Sequence, residues 1–68
     1  MKKGKLTTSD EDEVIIVLQD KEYKDYKESI DHVFFSGDKS EVKWNIVQFK
    51  DGTLTWWNSD ELEVFNNG

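Results

Sequence analysis

The dipeptide Asp51-Gly52 lies between two runs of strand-forming residues, KWNIVQFK over 43–50 and TLTWW over 53–57. Asp-Gly in such a setting is the strongest short-range signal for a β-hairpin, because a two-residue type I′ turn needs positive φ at both central positions. A turn of that type fixes the register by counting. Lys50 faces Thr53, Phe49 faces Leu54, Gln48 faces Thr55, Val47 faces Trp56 and Ile46 faces Trp57. Alternation then sorts the side chains onto two faces. One carries Val47, Phe49, Leu54 and Trp56 and reads as the core side. The other runs from polar Lys50, Thr53, Gln48 and Thr55 to Ile46, Trp57 and Trp44. Trp56 is thereby assigned to the core, and Trp57 to a face that something else must cover.

Other strands flank this hairpin. The run EVIIVLQ over 13–19 is β-branched and continuous, which fits a central strand covered on both faces. After Asn58-Ser59-Asp60 breaks the hairpin strand, Leu62, Val64 and Phe65 predict a final short strand. Residues 1–12 (MKKGKLTTSDED) hold Leu6 as the single large aliphatic inside the segment, so they read as a flexible tail ahead of one domain over 13–68. In the segment 19–37, Tyr23, Tyr26, Ile30 and Val33 recur at helical spacing, with Asp20 as a candidate N-cap and Gly37 as a stop. The same letters also read as a loosely alternating strand and loop. The favoured pattern is a helix or helical turn within 21–30, then a strand over 32–36.

With 68 residues the chain forms one domain at most, and it contains no cysteine, so neither disulfides nor a Cys/His zinc site staples it. Its core must come from nine aromatic residues together with Val, Ile and Leu. The longest apolar run, over 14–18, is too short to span a bilayer, and the amino terminus lacks the apolar stretch of a signal peptide. A soluble cytoplasmic protein without membrane contact is the expectation. The formal charge is −6, from fifteen acids and nine lysines without arginine. Arginine is the preferred residue for bidentate phosphate and guanine contacts, so this balance argues against direct nucleic-acid binding.

The block IVQFKDGTLTWWNSDELEVF over 46–65 resembles the carboxy-terminal half of small SH3-like barrels of the Tudor and related types. The matching pieces are residues 47–49, Asp51-Gly52, Trp56-Trp57, the break at 58–61 and the Leu62-Glu63-Val64 strand. The resemblance covers about a third of the chain and rests on a generic hairpin and turn. It implies a mainly β fold, an SH3-like barrel of about five short strands, with an α+β fold as the alternative. Tudor-type domains bind methylated lysine or arginine in aromatic cages through cation–π contacts. That implies Trp57 and Trp44 as the positions to examine for cage walls. The first half of the chain departs from the family pattern.

Catalytic chemistry has little to stand on. His32 is the only histidine, and no serine sits in a nucleophile elbow or beside a Gly-rich oxyanion loop. The acidic run over 10–13 (DEDE) lacks the spacing and turn glycine of a calcium loop and reads as solvated charge. No enzyme activity, cofactor or metal is expected. The leading expectation is a small acidic protein-binding or adaptor module, a monomer or a weak homodimer, whose candidate binding residues are Trp57, Trp44, Ile46, Tyr23 and Tyr26. Either the Tyr23/Tyr26 segment covers Ile46, Trp57 and Trp44 within the chain, or a partner does. Small size, many acids and the lack of arginine also fit proteins encoded by phages or mobile elements. The rival from another class is an acidic mimic of DNA that occupies the basic groove of a nucleic-acid-handling enzyme, motivated by residues 10–13 and the acids between Asp20 and Asp31.

Overall fold

The computed structural model describes residues 2–8 and 13–65. Five strands are present: β1 (Lys3–Leu6), β2 (Glu13–Glu22), β3 (Lys43–Gln48), β4 (Leu54–Asn58) and β5 (Leu62–Phe65). They form one antiparallel sheet in the order β4-β3-β2-β1-β5. The expected mainly β architecture is therefore present, with β2 at its centre. Among the described residues helical structure is limited to single 3-10 turns at Tyr23–Asp25, Lys39–Glu41 and Ser59–Glu61 and to one short helix, α1 (Lys27–Ile30). The helical turn expected within 21–30 is real, but it is brief, because β2 runs on to Glu22.

Three expectations need correction. The first concerns the tail: Lys3–Leu6 is a strand, hydrogen-bonded between β2 and β5, with Lys3 opposite both Ile15 and Phe65. Its inward positions are Gly4 and Leu6, and Leu6 is fully buried. A glycine at an inward site hides the alternation that would have announced the strand. It is there because β1 runs close to β5: a Cβ on Gly4 would lie 2.8 Å from the Glu63 carbonyl oxygen and 2.9 Å from Ile16 Cδ1. Residues 9–12 of the expected tail, and with them most of the acidic run over 10–13, lie outside the described residues.

The second correction concerns residues 32–36, which form a turn and loop instead of a strand. The Val33 N–H donates to the Ile30 carbonyl, which continues the end of α1, and both edges of β2 are already taken by β1 and β3. No edge of β2 is left for a strand to join. Nor is β2 covered evenly on both faces: Val14 and Ile16 are buried, whereas Val17 is half exposed.

The third correction is the hairpin register. Observed pairs are Gln48 with Leu54, Val47 with Thr55, Ile46 with Trp56, Asn45 with Trp57 and Trp44 with Asn58, one residue away from the expectation. The Gly52 N–H donates to the Phe49 carbonyl at 3.0 Å and the Phe49 N–H to the Thr53 carbonyl at 2.9 Å, so the loop is Lys50-Asp51-Gly52. Within it only Gly52 has positive φ, at 92°. This is the three-residue hairpin in which one left-handed residue closes a tight turn. A type I′ turn would also force Asp51 into the left-handed region. Instead the Asp51 carboxylate accepts the Thr53 N–H at 2.9 Å, a local turn that an Asp side chain makes readily.

A one-residue slip reverses the facing of one strand relative to the other. Val47, Phe49, Thr55 and Trp57 share the core face, where Leu6, Val14, Ile16 and Val47 form the main cluster with Phe49, Trp57 and Leu62 packed against it. Trp56 lies on the opposite face with Trp44 and Ile46. The two adjacent tryptophans have thus exchanged the roles that counting assigned to them.

Candidate binding groove at the edge of β4

The face opposite the main core has its own buried residues. Trp44 and Ile30 are almost fully excluded from water. The Trp44 Nε1–H donates to the Lys39 carbonyl at 2.9 Å, and the Phe35 ring meets the Trp44 ring edge-on with centroids 5.3 Å apart. Burying an aromatic ring removes about 150–250 Å² from water, worth about 4–6 kcal/mol before entropy is subtracted. Lys39 also donates from Nζ to the Ile30 carbonyl at 2.9 Å, which ties the end of α1 to the turn before β3. Tyr26 stacks at a tilt on Trp56, centroids 5.1 Å apart. The segment carrying Tyr26 does cover an aromatic of the hairpin, but that aromatic is Trp56.

The candidate residues divide accordingly. Trp57 is in the main core layer, half-buried, with its Nε1–H donating to the Glu61 carbonyl at 3.1 Å. Trp44 is buried, and Ile46, Tyr23 and Tyr26 are half-buried on or beside the other face. Trp57 therefore lies on the opposite face of the hairpin from Trp44 and Ile46, while Trp57 and Trp44 both line the groove at the edge of β4. The Tyr23 hydroxyl donates to the Asp31 carboxylate, and that bond holds the phenol pKa above its ordinary 10.0. His32 is exposed. Among the described residues no cluster of acids and histidine has the geometry to hold a metal ion.

A groove of about 380 Å³ follows the outer edge of β4. Its lining includes both Trp56 and Trp57, whose side chains point to opposite faces, so it runs along the edge itself. Phe35 and Trp44 wall it on one side, Thr8 and Glu61 on the other. Phe34, at 92 % exposure, stands in its rim. Asn58 lines it too, and its buried Oδ1 has no hydrogen-bond partner among the described residues. Sequence reasoning passed over Phe34, Phe35 and Asn58. The pair Phe34-Phe35 was absorbed into the expected strand over 32–36, and nothing in the letters marks Asn58 as buried.

The edge of β4 is held in place by a buried polar cluster. β2 pairs with β3 through two register shifts, one between Ile16 and Leu18 and one between Leu18 and Lys21. Such extra residues bend a strand and raise its twist. Asp20, at the second, adopts φ 55°, a left-handed conformation that Asp tolerates better than most residues. Asn45, 1 % exposed, fills the space behind the bend. Its Oδ1 accepts the Asp20 N–H at 3.0 Å, and its Nδ2 donates to the Trp57 carbonyl at 2.8 Å and to Ser59 Oγ at 3.0 Å. The Ser59 hydroxyl donates in turn to Asp20 Oδ1 at 3.2 Å. One amide thus connects the bend of β2 to the end of β4 and the turn after it.

The chain matches no protein-family model, no curated protein and no solved structure. No helix among the described residues is long and apolar enough to cross a membrane.

Proposed function

We propose that the protein is a small acidic binding or adaptor module, not an enzyme, that engages another protein through the aromatic groove beside β4. The observation that carries this is Phe34, 92 % exposed at the rim of a groove walled by Phe35, Trp44 and Trp56. Exposed aromatics beside an apolar groove are the usual anchor of a protein interface. The SH3-like reading of the fold is supported by the chain path: β1 to β4 run as successive antiparallel neighbours, a 3-10 turn follows β4, and β5 returns to pair with β1. Binding modules of many specificities share such small barrels, so the site and not the fold carries the function.

The groove can be tested with a photo-crosslinking amino acid placed at position 34 in cells that express the protein. A discrete crosslinked species is expected from position 34, and none from the same probe at exposed Lys24, which is outside the groove lining. Equal labelling at both positions, or none at 34, would remove the proposal. Phe34→Ser serves as the specificity control. It should leave stability within about 0.5 kcal/mol of wild type, as expected for an exposed side chain.

A further inference from the structure

The groove borders a sheet edge whose outward backbone groups have no partner among the described residues. Among the described residues β4 has β3 as its only neighbour in the sheet. The Phe49 N–H bond to the Thr53 carbonyl fixes the alternation along the hairpin. Residues paired like Phe49 and Thr53 exchange their hydrogen bonds across the ladder, so Thr55 and Trp57 point theirs at β3. Leu54 and Trp56 therefore direct N–H and C=O outward, over the groove. No described residue hydrogen-bonds to them there. The edge is also short of the devices that usually block pairing: β4 has no proline, lysine or glutamate within Leu54–Asn58.

The charge of the groove selects its occupant. Among the described residues Glu61 is the only charged side chain in the lining, and the whole chain carries −6. On the opposite wall the half-buried rings of Trp56 and Phe35 offer apolar surface. Asn58, also in the lining, has a side-chain carbonyl oxygen that lacks a donor among the described residues, a deficit worth about 1–3 kcal/mol for a buried acceptor. Glu61 and the net charge favour a positive charge, Asn58 favours a donor, and the aromatic wall favours apolar side chains. A second copy of the chain would bring another −6 to the same edge, which disfavours self-pairing.

We propose that β4 accepts an extended basic peptide segment of a partner protein as an added strand, with alternate apolar residues on the Phe35 side and Lys or Arg residues on the Glu61 side. This rests on the groove being the protein-binding site. Strand addition takes affinity from main-chain hydrogen bonds and specificity from the alternate side chains. Alternation places successive side chains of the added strand on the two walls already described.

The test uses a short labelled peptide of alternating valine and arginine, its valine–glutamate counterpart, and the first peptide with the inward amides N-methylated. Binding is followed by amide and indole resonances and by amide exchange. The expected result is that the arginine peptide shifts the Trp56, Trp44 and Phe34 signals and slows exchange at the Leu54 and Trp56 amides. The glutamate and N-methylated peptides should bind at least about tenfold more weakly, and added salt should weaken the arginine peptide. If the groove signals move but N-methylation has no effect, strand addition is overturned while the groove as a protein site stands. If the shifts are confined to β5, or the glutamate peptide binds equally, the basic-strand proposal is overturned. If no groove signal moves with any peptide and position 34 crosslinks nothing, both fall. Protection of the Trp56 amide in a peptide-free dimer would overturn it in favour of a second copy. Because the N-methylated peptide leaves the protein unchanged, the outcome does not depend on whether a variant folds.

Discussion

Asn45 is the residue on which the bend of the sheet depends. It is a polar side chain in a buried place, it spends three hydrogen-bonding positions on three different segments, and no apolar replacement reproduces that. Asn45→Ala would strand the Asp20 N–H, take the side-chain donor from the Trp57 carbonyl and leave a cavity, so it should cost about 2–4 kcal/mol. Urea unfolding at unchanged m would show the lost stability, and a cost below about 0.5 kcal/mol would mean the cluster contributes nothing net. Nothing in the string KWNIVQF distinguishes this asparagine from a solvent-facing one. Its burial follows from two irregularities in β2, some twenty-five positions earlier in the chain. Two carboxylates make a second prediction at this scale. Hydrogen bonds from Ser40 hold Asp38 below the ordinary 3.8, and the Thr53 N–H does the same for Asp51. A carboxylate with a depressed folded pKa contributes stability above the unfolded value and loses it as pH falls through the folded one. The turn before β3 and the hairpin loop should therefore loosen on acidification below about pH 4. The amide signals of Ser40 and Thr53 should follow those two titrations, and pH-independent signals from pH 5 to pH 2 would contradict it.

Among the elements, the β3–β4 hairpin shows where counting succeeds and where it stops. The two runs flanking Asp51-Gly52 were legible because their period and turn residues agree, and the strands are where those signals put them. The turn type was not legible: Asp-Gly serves a two-residue turn and equally serves the last two positions of a three-residue one. That single residue of difference decided which tryptophan is in the core. The helical spacing of Tyr23, Tyr26 and Ile30 was a true signal compressed into a 3-10 turn and one turn of α-helix, because β2 extends into its start. Gly52 gives the element-scale prediction. A Cβ there would meet nothing within 4 Å, so the cost of Gly52→Ala is set by its φ of 92° alone, about 1 kcal/mol. A D-alanine at the same position suits positive φ and should stabilise the hairpin instead. A thermal melt of the two proteins, made by synthesis, should move in opposite directions from wild type.

For the whole molecule, β1 is the decisive strand. It is short, lysine-rich and easily taken for a tail, yet it joins β2 to β5 and buries Leu6 completely. Its legibility failed for a physical reason, since half of its inward positions are glycine and its stabilisation comes from ladders on both sides. Removing residues 1–8 would expose the edges of β2 and β5 together, and the remaining chain should lose its cooperative thermal transition and its near-ultraviolet tryptophan signal. A truncated chain that still melted cooperatively would show that the strand is dispensable. The pairing of Lys3 with Phe65 also has a meaning in time. β2, β3 and β4 are joined by local or intermediate connections, whereas β1 finds β5 only after nearly the whole chain has been closed into a loop. Loop entropy must be met before that contact rewards it, so the meander should assemble first and the seam between β1 and β5 should zip last. Mutations in the seam should then speed unfolding far more than they slow folding, which the two arms of a chevron plot would separate. On this account the seam behaves as a latch: its strength governs how long the folded molecule lasts, with little influence on how quickly it is made.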